Sequence, residues 1–141
     1  MTFLNQDATK LIPQKSPFVL VDRLLYADEK QSICSFKIPE HHIFVKHGFY
    51  TTSGLVESMA QAAAAGTGFL NRQENKPVPI GYIGAVQKLE VTGWPPANGE
   101  IIMEIHLLTN IMQVSLVSGT ILYNGLPMAT CEMKIFLTNQ T

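Results

Sequence analysis

Residues 51–70 read TTSGLVESMAQAAAAGTGFL. The three hydroxyl residues at the start of this stretch are side chains that commonly cap the first N–H groups of a helix. The residues that follow them include one charged side chain, Glu57, and many small or apolar ones. A helix that is apolar nearly all round is typical of a helix enclosed by other elements. We therefore predict a long helix that runs to Leu70 and forms the centre of the domain.

The sequence on both sides of this helix has the pattern of β-strands. Residues 32–38 alternate apolar and polar side chains, which is the period of a strand with one buried face. Residues 18–25 are interpreted as a short helical turn that leads into a strand. Asn124-Gly125 has the composition of a type I′ hairpin turn. Strands are also expected after the helix, at residues 80–91, 100–108, 113–123 and 128–137. The pattern predicts an α+β domain with an antiparallel sheet.

Composition limits the classes of protein that need to be considered. A chain of 141 residues with 46% hydrophobic content fits a single domain, residues 1–141. Ten Lys and Arg residues are scattered among 11 Asp and Glu residues, so no basic surface for nucleic acid is expected. No stretch has the pattern of a membrane span or a secretion signal. Cys34 and Cys131 fall in alternating apolar patterns, which favours buried thiols in a cytoplasmic protein.

Several segments resemble one enzyme family. Residues 11–23 read LIPQKSPFVLVDR and are similar to the amino-terminal signature of the 3-hydroxyacyl-[acyl-carrier-protein] dehydratases. Residues 55–62, LVESMAQA, look like the start of that family's central helix. Residues 82–89, the Asn98-Gly99 turn and the Asn124-Gly125 hairpin follow in the family's order. The resemblance implies a hot-dog fold, a curved antiparallel sheet wrapped around one long helix, assembled as a homodimer or a higher homo-oligomer.

The resemblance also implies a reaction and some of its residues. Members of the family remove water from 3-hydroxyacyl thioesters in fatty-acid or polyene-type synthesis, and we expect acyl carrier protein or acyl-CoA as the carrier and no cofactor. A histidine of one subunit acts there with an acid on the partner's helix, and Glu57 matches that acid. Gln61 lies one turn after Glu57, so both should face the same pocket wall. For that reason Gln61 is a predicted substrate-binding residue. Ser53 and Gly54 are also predicted to bind substrate, because N–H groups at a helix start can polarise a carbonyl.

The catalytic histidine is the point at which this sequence departs from the family. The family's Gly-His-Phe-Pro string is absent, and residues 41–54 read HHIFVKHGFYTTSG. Counting back from Glu57 without a gap places Ile43 at the histidine position, which implies an inactive protein. Shortening the loop before the helix places His47 there instead, and His42 is one residue from the ungapped position. His47, His42 and no histidine all remain open as the base. The histidines lack the paired ligand spacing of a metal site, so no metal is expected.

Two other functions remain open from the sequence. The missing histidine string favours a non-catalytic acyl-binding or partner subunit of the same fold, which would bind its partner but turn nothing over. A hot-dog acyl thioesterase would use its acid to activate water rather than to eliminate it. Release of a free thiol would distinguish the thioesterase from the dehydratase.

Overall fold

The computed structural model describes residues 3–77 and 80–138. The central helix, α1, begins at Thr52 and ends at Gln73, and the strands before and after it form one large sheet. The remaining elements, in chain order, are β1 (Gln6–Asp7), a short 3₁₀ helix (Ala8–Lys10), β2 (Arg23–Ala27), β3 (Gln31–Lys37), β4 (Val45–Lys46), β5 (Phe49–Tyr50), β6 (Ile80–Val91), β7 (Glu100–Ile111), β8 (Val114–Tyr123) and β9 (Leu126–Thr138).

The main sheet has seven antiparallel strands in the order β1-β2-β3-β7-β8-β9-β6. The strands β4 and β5 form a separate small hairpin that leads directly into α1. Because β6 is the last strand in the order, its outer edge pairs with no other described strand. One long helix against an antiparallel sheet is the α+β arrangement that the sequence predicted.

The core lies between α1 and the concave face of the sheet. Leu55, Met59 and Ala62 are fully buried on one side of α1, three or four residues apart, as a helix with one inward face requires. They meet fully buried strand residues such as Met103 and Met133. Burial of each large aliphatic side chain contributes roughly 1.5–3 kcal/mol. The helix is therefore held in place mainly by apolar contact with the sheet.

The N-terminal segment lies directly against the backbone of α1 at Gly68. A Cβ atom on Gly68 would lie 2.3 Å from the carbonyl oxygen of Leu11, a distance at which the two segments must move apart. We expect Gly68→Ala to lower the free energy of unfolding by about 1–3 kcal/mol, as overpacked sites do. Urea denaturation measures this change. The control is Gln73→Ala at the exposed end of the helix, which should have little effect. A Gly68→Ala protein at least as stable as the wild type would contradict the close approach, since alanine is otherwise the better helix former.

Both cysteines are buried core residues with free thiols, which confirms that part of the sequence prediction. The Sγ atom of Cys131 lies 3.9 Å from the Sδ atom of Met59. Burial raises the pKa of Cys34 to about 12 and that of Cys131 to about 11. Both side chains are therefore protonated and unreactive at neutral pH, because the thiolate is the nucleophilic form.

The structure corrects the sequence prediction at several boundaries. Residues 18–25 contain no helical turn: a hydrogen-bonded turn ends at Phe18, residues 19–22 have no regular secondary structure, and β2 begins at Arg23. The strand predicted to end at residue 108 continues to Ile111, beyond a β-bulge that breaks its alternation. The Asn124-Gly125 hairpin is confirmed, with positive φ angles of 50° and 77°. No helix in the described ranges is long and apolar enough to cross a membrane.

Candidate functional site

The first two turns of α1 border a pocket of about 440 Å³, within the size range of small-molecule sites. Its walls carry aromatic and aliphatic side chains, two hydroxyl groups and a single ionisable group, the carboxylate of Glu57. The side chain of Glu57 is half-buried. The lining residues are Phe18, Phe44, Thr52, Ser53, Val56 and Glu57. The structure thus brings together the predicted acid and one predicted substrate-binding residue, Ser53.

One oxygen of the Glu57 carboxylate is held by its neighbour on the helix. The Nε2 atom of Gln61 donates a hydrogen bond of 3.1 Å to Oε1 of Glu57. This contact follows from the spacing of four residues, which places the two side chains on the same face of α1. No described residue donates a hydrogen bond to the other oxygen, Oε2. The carboxylate is therefore oriented by one bond and keeps a second oxygen for a ligand.

Gln61 also binds the N-terminal segment. Its side chain is buried, and Oε1 accepts a 2.7 Å hydrogen bond from the backbone N–H of Leu20. Its Nε2 atom donates a 2.8 Å hydrogen bond to the carbonyl oxygen of Phe18. Both N–H donors of the amide are thus used by Phe18 and Glu57. Direct contact between Gln61 and substrate remains a prediction, whereas its contact with Glu57 is part of the structure.

His42 has both ring nitrogens in hydrogen bonds to the backbone. Its Nε2 atom lies 2.8 Å from the carbonyl oxygen of Pro17, and its Nδ1 atom lies 3.1 Å from the backbone nitrogen of Phe44. A carbonyl oxygen can only accept, so Nε2 carries the proton, and Nδ1 accepts from the Phe44 N–H. The His42 ring also packs against the Phe44 ring, with 5.6 Å between centroids. Nδ1 is therefore the basic atom of this histidine.

A short series of contacts connects His42 with Glu57. The carbonyl of Pro17 binds His42, and the carbonyl of the next residue, Phe18, binds Gln61, which in turn binds Glu57. Phe18 and Phe44 themselves line the Glu57 pocket. His42 therefore contacts one residue of the pocket wall, Phe44, and the neighbour of another, Phe18, although it is not itself a lining residue.

His47 lies in a different place. It occupies the turn between β4 and β5 together with Gly48, and both residues have positive φ angles, 53° and 83°. Its side chain is exposed and borders a separate depression together with His41, His42 and Asn98, so the two histidines share that depression, but only His42 also contacts Pro17 and Phe44. Ile43, the ungapped alternative, has 68% of its surface exposed. Within one chain the structure thus brings His42, but neither His47 nor Ile43, to the surroundings of Glu57. No group of His, Cys, Asp and Glu suited to a metal ion occurs among the described residues.

The start of α1 offers two backbone donors. Thr51 caps the helix, and its hydroxyl accepts a 3.4 Å hydrogen bond from the N–H of Gly54. Gly54 is buried under the Tyr50 ring, which would lie 2.5 Å from a Cβ atom at this position. The N–H of Gly54 therefore bonds to the capping residue, and its Cα packs against Tyr50. The N–H groups of Thr52 and Ser53 have no partner among the described residues, as expected at a helix start. Those two residues line the pocket.

Sequence reasoning missed three residues of this site. Phe18 and Phe44 form its aromatic walls, and Phe18 was visible only as part of the amino-terminal signature. Tyr50 supports the helix start, since its hydroxyl lies 2.7 Å from the Ser58 hydroxyl inside the core. Burial raises the pKa of Tyr50, so the phenol stays neutral. The alternating pattern before α1 was too short to indicate that this tyrosine points inward.

Comparison with known proteins identifies the class and then the family. The fold is the hot-dog fold of the dehydratase heterocomplex ApeI:P from Xenorhabdus doucetiae, with a TM-score of 0.88 and 15% identity over 97% of this chain and 94% of that chain. The chain belongs to the ApeP-like family, described as ApeP dehydratase, whose sequence model matches residues 6–141. The dehydratase-like hot-dog family predicted from the sequence is thus confirmed.

Other solved structures share the fold at lower similarity. A hypothetical thioesterase with coenzyme A from Streptococcus pneumoniae has a TM-score of 0.66 and 9% identity over 83% of this chain and 88% of that chain. The uncharacterised protein PH1136 from Pyrococcus horikoshii has a TM-score of 0.70 and 10% identity, with 99% and 97% covered. No curated protein matches the sequence. At such identities the structural matches establish the fold alone.

Proposed function

We propose that the protein removes water from 3-hydroxyacyl thioesters carried by acyl carrier protein and that the reaction takes place in the Glu57 pocket. The elimination needs a base for the C2 proton, a proton donor for the 3-hydroxyl, and donors that stabilise negative charge on the thioester carbonyl. The observation that carries the proposal is a carboxylate at the edge of a largely apolar pocket, with one oxygen bound by Gln61 and the other without a hydrogen-bond donor among the described residues.

The proposed roles account for both protons. A histidine takes the proton from C2, and the electron pair of that C–H bond forms the C2–C3 double bond. The C3–O bond breaks, and the leaving hydroxyl receives a proton from the Glu57 carboxyl group to become water. The N–H groups of Thr52 and Ser53 face the carbonyl oxygen while it carries negative charge.

We propose His42 rather than His47 as the histidine, because the contacts of Pro17, Phe18 and Phe44 associate His42 with the Glu57 pocket. His42→Ala is expected to slow the loss of water by about 10²–10⁴-fold, the usual contribution of a general base. His47→Ala should retain activity within about threefold, since exposed turn residues contribute little. Mass spectrometry of the acyl carrier protein measures the reaction. Loss of activity in the His47 variant with an active His42 variant would reverse the assignment.

The proposal includes assembly as a homodimer. Among the described residues no hydrogen bond joins His42 to Glu57. In the dehydratases that the sequence resembles, the histidine of one subunit acts with the acid on the partner's helix, and a homodimer would allow the same arrangement here. The outer edge of β6 supports this arrangement, since it pairs with no other strand among the described residues and β6 exposes the large side chains Tyr82 and Val86. The two free buried thiols support a cytoplasmic location.

A second candidate function is that of a non-catalytic partner subunit. Both nitrogens of His42 are bound to backbone groups, so Nδ1 can accept a proton only after the Phe44 N–H releases it. The similar ApeI:P protein is a dehydratase heterocomplex, which makes a heteromeric partner a specific alternative. Under this alternative the purified protein would be inert on every chain length and active only with its partner. Release of free thiol without loss of water would instead indicate the acyl thioesterase.

A further inference from the structure

A second groove lies beside the Glu57 pocket, and apart from Thr52 and Ser53 none of its residues has a role in the proposed elimination. Its volume is about 630 Å³, and it is bordered by Lys46, Phe49, Tyr50, Thr51, Thr52, Ser53 and Trp94. Phe49 and Trp94 are large aromatic side chains, yet each has 51% of its surface exposed. Lys46 is exposed and forms no ion pair with any described residue. The groove thus combines aromatic walls with one unpaired cation.

Backbone contacts join strand β5, which carries Phe49, to the loop that carries Trp94. The N–H of Tyr50 donates a 2.8 Å hydrogen bond to the carbonyl oxygen of Pro95, and Phe49 forms a β-bridge with Pro96. The indole Nε1 of Trp94 donates a 3.1 Å hydrogen bond to the Thr52 hydroxyl. Both aromatic residues are therefore fixed next to the start of α1 rather than on independent loops.

The groove adjoins the Glu57 pocket. Thr52 and Ser53 line both cavities, so they form the boundary between them. A thioester whose carbonyl lies at this boundary would place its acyl chain in the Glu57 pocket and its other arm in the groove. That arm is 4′-phosphopantetheine in both acyl carrier protein and coenzyme A. Its amide and alkyl groups suit aromatic walls, and its phosphate suits an ammonium group.

We propose that the groove formed by Lys46, Phe49 and Trp94 binds the phosphopantetheine arm of the substrate, with Lys46 at the phosphate. This inference rests on the proposed function for the kind of substrate, but it concerns binding and not elimination. Because Lys46 is exposed, its contact with a phosphate is screened by solvent and weakens further as salt is added.

Trp94 allows a direct test because it is the single tryptophan of the chain. Pantetheine 4′-phosphate, which cannot react, is titrated into the full protein while tryptophan emission is recorded. We expect a saturable change in emission and about a fivefold weaker dissociation constant for Lys46→Met, the upper range for an exposed ion pair. The same substitution at Lys134, on the outer face of β9, should leave the constant unchanged. Unphosphorylated pantetheine should bind Lys46→Met and wild type equally.

Competition experiments distinguish the two sources of the arm. Displacement by both coenzyme A and a holo carrier protein indicates recognition of the arm alone, and displacement by the holo but not the apo carrier protein assigns the arm to that protein. Absence of an emission change, or equal affinities for the Lys46 and Lys134 variants, would overturn the proposal. If tryptophan emission instead changes with protein concentration when no ligand is added, the proposal is also wrong, because a second copy of the chain would then cover the groove. Intact binding without loss of water would refute the proposed reaction and leave the groove assignment standing.

Discussion

Glu57→Gln is expected to slow the loss of water from 3-hydroxyacyl thioesters by at least about 100-fold, since general acid catalysis typically contributes 10²–10⁴-fold. Glutamine has nearly the same shape, and its side-chain oxygen can still accept the hydrogen bond from Gln61. It cannot exchange a proton with the leaving hydroxyl. The free energy of unfolding should therefore change by less than about 0.5 kcal/mol, as for a substitution outside the packed core.

The same substitution at Glu74 is a matched control. Glu74 lies at the exposed C-terminal cap of α1 and pairs with Lys76 at the surface. Glu74→Gln should retain full activity. Rates are measured by mass spectrometry of the carrier protein at saturating substrate, and stability by urea denaturation. Activity of Glu57→Gln within a few fold of the wild type would mean that the carboxylate takes no part in the chemistry.

Gln61→Leu is expected to lower the free energy of unfolding by about 1–3 kcal/mol. The leucine fills a similar space, but it leaves the buried N–H of Leu20 without an acceptor, and an unsatisfied buried polar group costs this amount. It also removes the bond that orients Glu57, so the loss of water should slow as well. The free energy is obtained from urea denaturation, with Gln73→Leu at the exposed end of α1 as the matched control.

Gln61→Glu separates the two effects of this residue. A carboxylate at this position still accepts from the Leu20 N–H, but it no longer donates to Phe18 or to Glu57 and brings a second negative charge beside Glu57. We expect Gln61→Glu to have a higher free energy of unfolding than Gln61→Leu. Its rate of water loss should nevertheless be low, because Glu57 is no longer oriented. Equal stability of wild type and Gln61→Leu would show that Gln61 does not hold the N-terminal segment.

The sequence predicted those elements whose pattern is local. The apolar run between Leu55 and Leu70 is sufficient to indicate a long helix against the core, and the structure buries one face of it completely and leaves the others partly exposed. The alternation in β9 likewise predicted its inward face, and Cys131, Met133 and Ile135 are buried there. The positive φ angles at Asn124-Gly125 followed from composition alone.

The sequence could not predict contacts between distant segments. Residues 18–22 have no helical turn because the side chain of Gln61, about 40 positions further on, satisfies the backbone groups of Phe18 and Leu20. The carbonyl oxygen of Pro17, in the same segment, lies 2.8 Å from Nε2 of His42. The positive φ angle of His47 places it in a hairpin turn, and an alignment by residue type contains no information on that angle. The choice between the histidines therefore depends on tertiary structure.

The most direct test of the central claim is a mass-spectrometric assay of the wild-type protein alone with a panel of 3-hydroxyacyl carrier-protein substrates. We expect the wild-type protein to remove one water from a substrate of at least one chain length, and Glu57→Gln to lose that activity. A wild-type protein that is folded and assembled but inert on every substrate would contradict it, and the protein would then be assigned as a partner subunit.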